Sequence, residues 1–192
     1  MTYPQEARLQ PHYDNLQYDA PMNGRWIEEV MSNFICDLSR VLDLGCGIGT
    51  FCKWAARQNG NVFVHGIDYS QPRIEYAKEH NNEATVGYLC KDVNAVVAAM
   101  RSPMYSVVTL WDVLEHLERP NLVLRYAANA LRPGGQILAT IPVNMPYEAH
   151  LQVYRNVEEL NTALRPTRVV QTHLGRDYFL CEWSKQDAGL IP

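Results

Sequence analysis

Between residues 41 and 142 the chain alternates two kinds of apolar pattern. Short unbroken runs, VLDLG (41–45), VFVHGID (62–68), VGYLCKD (86–92), YSVVTLWD (105–112) and QILATIP (136–142), are rich in branched and aromatic residues and lack a regular polar alternate. Runs of this length predict strands covered on both faces. Between them, helical spacing predicts helices near 50–58, from Ser70 with Pro72 in its first turn, near 93–101, and over 120–131. Helical crossovers make the strands parallel neighbours, so the pattern predicts a doubly wound α/β domain with helices on both faces of the sheet.

The two ends break this rhythm. Residues 1–24 set Pro4, Pro11, Pro21 and Gly24 among polar and tyrosyl residues and read as an irregular arm; Trp26, Ile27, Val30 and Phe34 then predict an amphipathic helix over 25–35. Near the other end a helix over 157–164 leads to RVVQTHL (168–174) and DYFLCEWS (177–184), joined too closely for a crossover helix. These two runs are expected to be antiparallel neighbours, a hairpin at the sheet's edge. The whole 192 residues fit one domain, an arm and helix over 1–35 capping a core over 36–185.

Composition narrows the classes. With 47% apolar and 20% charged residues the chain is ordinary for a globular protein, and no apolar run is long enough to span a membrane. No basic segment followed by an apolar stretch opens it, so the expected location is cytoplasmic. The five cysteines, Cys36, Cys46, Cys52, Cys90 and Cys181, form no CxxC pair and are expected to be reduced and mostly buried. A net charge of -4 disfavours a broad phosphate-binding face, while Arg165, Arg168 and Arg176 could furnish a small basic pocket.

Candidate chemistry begins where the first strand ends. VLDLGCGIGTF turns through Gly45, Gly47 and Gly49 into a helix, a geometry in which the backbone approaches a ligand closely and unpaired N–H groups face it. Asp43 precedes the turn, and Asp68 closes the next strand 19 residues after Gly49, where a carboxylate can accept bonds from ribose hydroxyls. The G-x-G-x-G spacing differs from that of dinucleotide binders. An acid before the first glycine would repel a pyrophosphate and suit an ammonium group, which favours an amino-acid-bearing nucleoside over NAD.

VLDLGCGIGT, GIDYS, KDV, WDVLEHL and LRPGGQILATIP, in that order, resemble the motif series of class I S-adenosylmethionine-dependent methyltransferases, over roughly residues 25–185. The resemblance implies a Rossmann-like sheet of seven strands, mostly parallel, whose last two form the antiparallel hairpin. It also implies S-adenosylmethionine as cofactor: Gly45, Gly47 and Gly49 around the methionine moiety, Asp43 near its amino group, Asp68 on the ribose, Tyr69 against the adenine, Asp92 and Val93 beside the adenine amino group, and Trp111 along the far side. The acceptor pocket of that fold would here draw on Tyr13, Tyr18, Trp26, Met145, Tyr147, Glu148 and His150, which suits a small planar or sugar-like molecule.

WDVLEHL (111–117) stands where that family brings strand four to the transferable methyl, and it allows three readings. Asp112 could cap a helix with Glu115 at its third position. His116 could take the proton of a substrate hydroxyl, with Glu115 or Asp112 orienting its ring. Or Asp112, Glu115 and His116, on one helical face, could join His150 around Mg²⁺ or Mn²⁺, which tolerate such ligands. The segment is similar to the acid-x-x-Glu-His stretch of ubiquinone-pathway O-methyltransferases, which act on catechols, and of small-RNA 3′-terminal 2′-O-methyltransferases; the first acid is usually Glu in both, and Asp112 is one methylene shorter.

The resulting expectation is a methyltransferase acting on a hydroxyl of a small molecule, with His116 and Glu115 as catalytic groups and without a required metal. An RNA 3′-terminal ribose, or a protein or amine acceptor, is the alternative within the class. Nucleic acid bases are disfavoured by the acidic balance and by WDVL in place of a D/N-P-P-Y/F sequence. From other classes come a nicotinamide oxidoreductase and a non-catalytic nucleoside-binding subunit. Oligomeric state is not legible.

Overall fold

The computed structural model describes residues 31, 34–35, 39–58, 61–100, 102–171, 178–186 and 191. Of the helix expected over 25–35, Met31, Phe34 and Ile35 are described; Met31 is helical and fully buried, and its carbonyl accepts from the N–H of Ile35 at 2.8 Å. Tyr13, Tyr18 and Trp26 lie outside the described residues.

The described elements run β1 (Arg40–Leu44), α1 (Thr50–Ala56), β2 (Phe63–Asp68), α2 (Gln71–His80), β3 (Val86–Cys90), α3 (Val93–Ala99), β4 (Tyr105–Trp111), a single 3₁₀ turn (Leu114–His116), α4 (Pro120–Ala130), β5 (Leu131–Pro142), α5 (Val157–Leu164), β6 (Arg168–Gln171) and β7 (Tyr178–Ser184). They build one Rossmann-like sheet of seven strands in the order β3-β2-β1-β4-β5-β7-β6. The first five strands are parallel, and β7 inserts antiparallel between β5 and β6. The chain order reverses beside β1 and β4, and in open α/β sheets ligands collect outside the carboxyl ends of the strands at such a point.

Burial on both faces follows from the unbroken apolar runs. In β4, Val107 and Trp111 point into one apolar cluster with Phe51, Cys52 and Leu138, while Val108 and Leu110 point into the other with Val123, Leu124 and Leu160. Two threonines interrupt these runs on the first face, Thr109 in β4 and Thr140 in β5, both buried. A buried hydroxyl needs a partner, and each finds a carboxylate at the site below. The edge strand β3, with one neighbour, alternates half-buried and exposed residues instead.

Two boundaries differ from expectation. β5 begins at Leu131, not Gln136: Leu131 pairs with Tyr105, the register then shifts, and Arg132 to Gly135 loop out before Gln136 meets Val107. Gly134 there has φ 77°, and a Cβ on Gly135 would stand 3.0 Å from two carbonyl oxygens, so the two glycines permit the bulge. The second difference is WDVLEHL, where the expected helix shrinks to the one 3₁₀ turn.

Candidate functional site

The glycine turn hangs from the end of β2. The N–H groups of Gly45 and Cys46 both donate to the carbonyl of Ile67, at 2.7 and 2.9 Å. Gly45, Gly47 and Gly49 all have positive φ, 76°, 55° and 83°, which L side chains adopt only at a cost. Space is equally restrictive: a Cβ on Gly45 would overlap Cγ2 of Val113, and one on Gly49 would reach 2.8 Å from Cζ of Tyr88. The Tyr88 hydroxyl lies 2.8 Å from the carbonyl of Asn81 and 3.2 Å from that of Gly49, and the Asn81 amide donates to the carbonyl of Ile48 at 2.8 Å. The turn is thus braced from β3 on one side and pressed by Val113 on the other.

Asp68, at the end of β2, holds the same turn. One carboxylate oxygen accepts from the N–H of Gly47 at 2.9 Å and the other from that of Ser70 at 2.8 Å, so one side chain ties the turn to the start of α2. Burial pushes its carboxyl upward against those bonds. Asp43 is fully buried on the α1 face; Thr109 donates to one of its oxygens at 2.7 Å and the Cys52 thiol to the other at 3.3 Å. Tyr69 is 39% exposed beside Asp68, Asp92 caps α3 by accepting from the N–H of Asn94, Val93 is buried, and Trp111 packs edge-on against Phe51 with ring centres 5.3 Å apart. All stand at the carboxyl ends of β1 to β4. Cys46, Cys52 and Cys181 are buried with thiols pushed up by that burial, Cys46 to about 11, which is the environment of inert reduced thiols.

WDVLEHL does not fold as a capped helix. Asp112 has φ 51° and precedes the 3₁₀ turn, whose cap is Val113 and which has no side-chain capping bond. The cap reading is therefore corrected: the Asp112 N–H donates to the hydroxyl of Thr140 at 3.0 Å, and that hydroxyl donates back to the carboxylate at 3.1 Å. Glu115 is buried, and burial and the Asp112 charge push its carboxyl well above the usual range. Asp112 is raised to about 6 by burial. Among the described residues, Oδ2 of Asp112 and Oε2 of Glu115 are both buried without a hydrogen-bond partner, polar atoms that a ligand donor or a shared proton would satisfy.

His116 meets a residue from far along the chain. Its Nδ1 lies 2.9 Å from the carbonyl of Ala149, and Nδ1 of His150 lies 2.9 Å from the carbonyl of Met145. A carbonyl only accepts, so each neutral ring carries its proton on Nδ1 and its lone pair on Nε2. A backbone carbonyl thus fixes the orientation of His116 at Nδ1, a partner that the sequence did not signal. The rings of His116 and His150 meet edge to face at 5.1 Å, and Tyr147 packs on His150 at 5.5 Å. One donor atom each from Glu115, His116 and His150 lies within 4.8 Å of the others, a set able to hold a cation. Asp112 is outside this set, because the left-handed residue and short turn remove the helical spacing that was to bring it in.

The loop after β5 is clamped here by the backbone. The carbonyl of Glu115 accepts from the N–H groups of Leu151 and Gln152, at 2.8 and 2.9 Å. Sequence reasoning missed Thr109, Thr140, Val113 and Tyr88. The two threonines carried a signal, a hydroxyl inside an otherwise apolar strand; the other two show only in three dimensions.

Comparison with known proteins gives this geometry a family. A family model described as a methyltransferase domain matches residues 41–135. The chain is 36% identical over 118 residues to the ubiquinone biosynthesis O-methyltransferase of Neisseria meningitidis serogroup C (strain 053442), covering 59% of this chain and 49% of that one. It is 30% identical over 172 residues to that of Pseudomonas fluorescens (strain SBW25), covering 88% and 71%. Against the first of these the chain spans about half the relative's length. Among solved structures, a SAM dependent methyltransferase from Aquifex aeolicus superposes with TM-score 0.68 at 17% identity, over 95% of this chain and 99% of that one, which shows a shared fold. No helix among the described residues is long and apolar enough to cross a membrane. With the motif order, the strand order and these matches in agreement, the chain belongs to the class I S-adenosylmethionine-dependent methyltransferases.

Proposed function

We propose that the chain transfers the methyl group of S-adenosylmethionine to a hydroxyl of a small molecule. Three observations support such a cofactor: Gly45, Gly47 and Gly49 all take positive φ, a side chain at Gly45 or Gly49 would collide with Val113 or Tyr88, and Asp68 holds a buried carboxylate against the turn at the end of β2. Gly45, Gly47 and Gly49 would hold the methionine moiety, with Asp43 behind them, Asp68 the ribose, and Tyr69, Asp92, Val93 and Trp111 the adenine and its surroundings. Once bound, the cofactor supplies an electrophilic methyl on a sulfonium. The arm over 1–35, with Tyr13 and Tyr18, would cap the site, and Tyr147 and His150 would line the acceptor's entrance.

The observation that carries the hydroxyl reading is His116, whose Nδ1 proton is fixed on the carbonyl of Ala149. The Nε2 lone pair can then take a proton from an attacking oxygen. Glu115 positions the loop that bears His150 through its carbonyl and offers the ring a neighbouring carboxyl. The names of the relatives also support transfer to oxygen. The test is incubation with S-adenosylmethionine and a panel of phenols, catechols, sugars, amines and RNA ending in a free ribose, reading the methylated atom by NMR. Methyl on a small-molecule oxygen is expected. Methyl only on nitrogen, or only on the RNA ribose, would replace this acceptor; tight cofactor binding with no turnover would point to a non-catalytic subunit.

A second reading rests on the Glu115, His116 and His150 donors lying within 4.8 Å of one another. A divalent cation there would lower the pKa of a bound hydroxyl. Titrating Mn²⁺ into protein saturated with S-adenosylhomocysteine, with Glu115→Ala as control, decides it: saturable binding lost in the variant supports the cation, and no binding leaves His116 as the base.

Replacing Asp68 by alanine is expected to weaken S-adenosylhomocysteine binding about 10- to 100-fold, as loss of a buried charged hydrogen bond would. Asp68→Asn keeps an acceptor for the N–H of Gly47 and should fall between the two. Calorimetric affinities equal in all three proteins would remove Asp68 from the site.

A further inference from the structure

We propose that a second pocket, between the start of α4 and the end of α5, binds a small hydroxylated aryl carboxylate. The pocket is an open cleft of about 410 Å³, within the range of about 300–1,000 Å³ typical of sites for small organic ligands. It shares no lining residue with the glycine turn or with Glu115, His116 and His150.

Its chemistry sets three requirements. Arg119 and Arg125 line it, and neither is in an ion pair among the described residues, where the arginine pairs are Arg57 with Glu83 and Arg168 with Glu182. Glu118, also at the pocket, offsets one of those charges, so one net positive charge remains for an anion. The second requirement is a donor. The Asn121 amide nitrogen donates to the carbonyl of Ala163 at 3.1 Å, which fixes the amide's orientation and leaves Oδ1 buried without a partner among the described residues. A ligand hydroxyl satisfies that oxygen; a bare phosphate or carboxylate does not. Third, the half-buried Leu122 and Ala163 give the wall an apolar stretch that suits a ring between the two polar ends.

The pocket lies behind the cluster proposed for catalysis. Gln152 lines it, donates from its side chain to the carbonyl of Leu117 at 3.0 Å, and donates its N–H to the carbonyl of Glu115 at 2.9 Å. An occupant therefore rests on the segment that clamps the loop bearing His150. The binding itself does not depend on the proposed activity.

The test uses 3-hydroxyphenylacetate as probe against the full chain saturated with S-adenosylhomocysteine, followed by calorimetry and by the amide resonances of Asn121 and Gln152. One-to-one binding is expected, weaker by about tenfold or more in the Arg119→Gln, Arg125→Gln double variant, as for loss of charge-assisted bonds. Phenylacetate, which lacks the hydroxyl, should bind more weakly and leave the Asn121 side-chain resonances in place. Tyr147→Ala, at the acceptor's entrance, should leave probe affinity within about twofold. Both arginines are exposed, so the double variant is expected to fold, with an unchanged circular dichroism melt as the check. The proposal is overturned by no binding at millimolar probe, by affinity that ignores the arginine changes, or by affinity that follows Tyr147 instead.

Discussion

Replacing His116 by asparagine is expected to lower kcat for methyl transfer to a hydroxyl by about two to four orders of magnitude, the span of a lost general base. Asparagine places its amide nitrogen where Nδ1 stands and so can donate to the carbonyl of Ala149, and the 3₁₀ turn and the loop after β5 should stay in place. It cannot take up a proton at neutral pH. Cofactor affinity should therefore remain within about twofold, because the change touches neither the glycine turn nor Asp68. The variant should also regain rate as pH rises toward the acceptor hydroxyl's own pKa, where solution base supplies what the ring no longer does. Steady-state rates across pH, with calorimetry for S-adenosylhomocysteine, read both quantities. A variant within about threefold of the parent at neutral pH would exclude His116 as the base.

The second large effect is expected at Gly45. Alanine there must adopt φ near 76°, at about 1–2 kcal/mol, and its Cβ must displace Val113, at a further 1–3 kcal/mol or so. Together these would remove about 2–5 kcal/mol from a domain whose whole stability is on the order of 5–15 kcal/mol. Affinity for the cofactor should fall with it, since the turn cannot keep its path past Val113. Adding Val113→Ala separates the two causes: the collision disappears while the backbone cost remains, so part of the stability should return. Urea denaturation of the four proteins in this cycle gives the coupling. Additive losses would mean that Val113 does not press on the turn.

Much of this arrangement was legible in one dimension. The strand runs and their order, the glycine turn and the terminal hairpin follow from periodicities that local sterics and burial impose. What escaped depended on residues distant in sequence. The five residues at 131–135 read as a helix end and loop because the pairing of Leu131 with Tyr105 is a tertiary event. Asp112, Glu115 and His116 carry helical spacing, yet Asp112 turns left-handed, bonded through both its N–H and its carboxylate to Thr140 on the neighbouring strand. His150 could be suspected as a partner of His116, but the Ala149 carbonyl that sets the ring's tautomer is a backbone atom that no composition signals.

The brace between Tyr88 and the glycine turn has a consequence for how the molecule opens. β3 is an edge strand, and such strands fray at free energies well below that of global unfolding. Because the Tyr88 hydroxyl reaches the carbonyls of both Gly49 and Asn81, peeling β3 from β2 withdraws the support of the turn and of the residue after α2 together. Fraying at the sheet's margin and loss of the binding cradle are thus one cooperative event. A ligand that stabilises the cradle protects the amides of β3, at the margin of the sheet, without touching them.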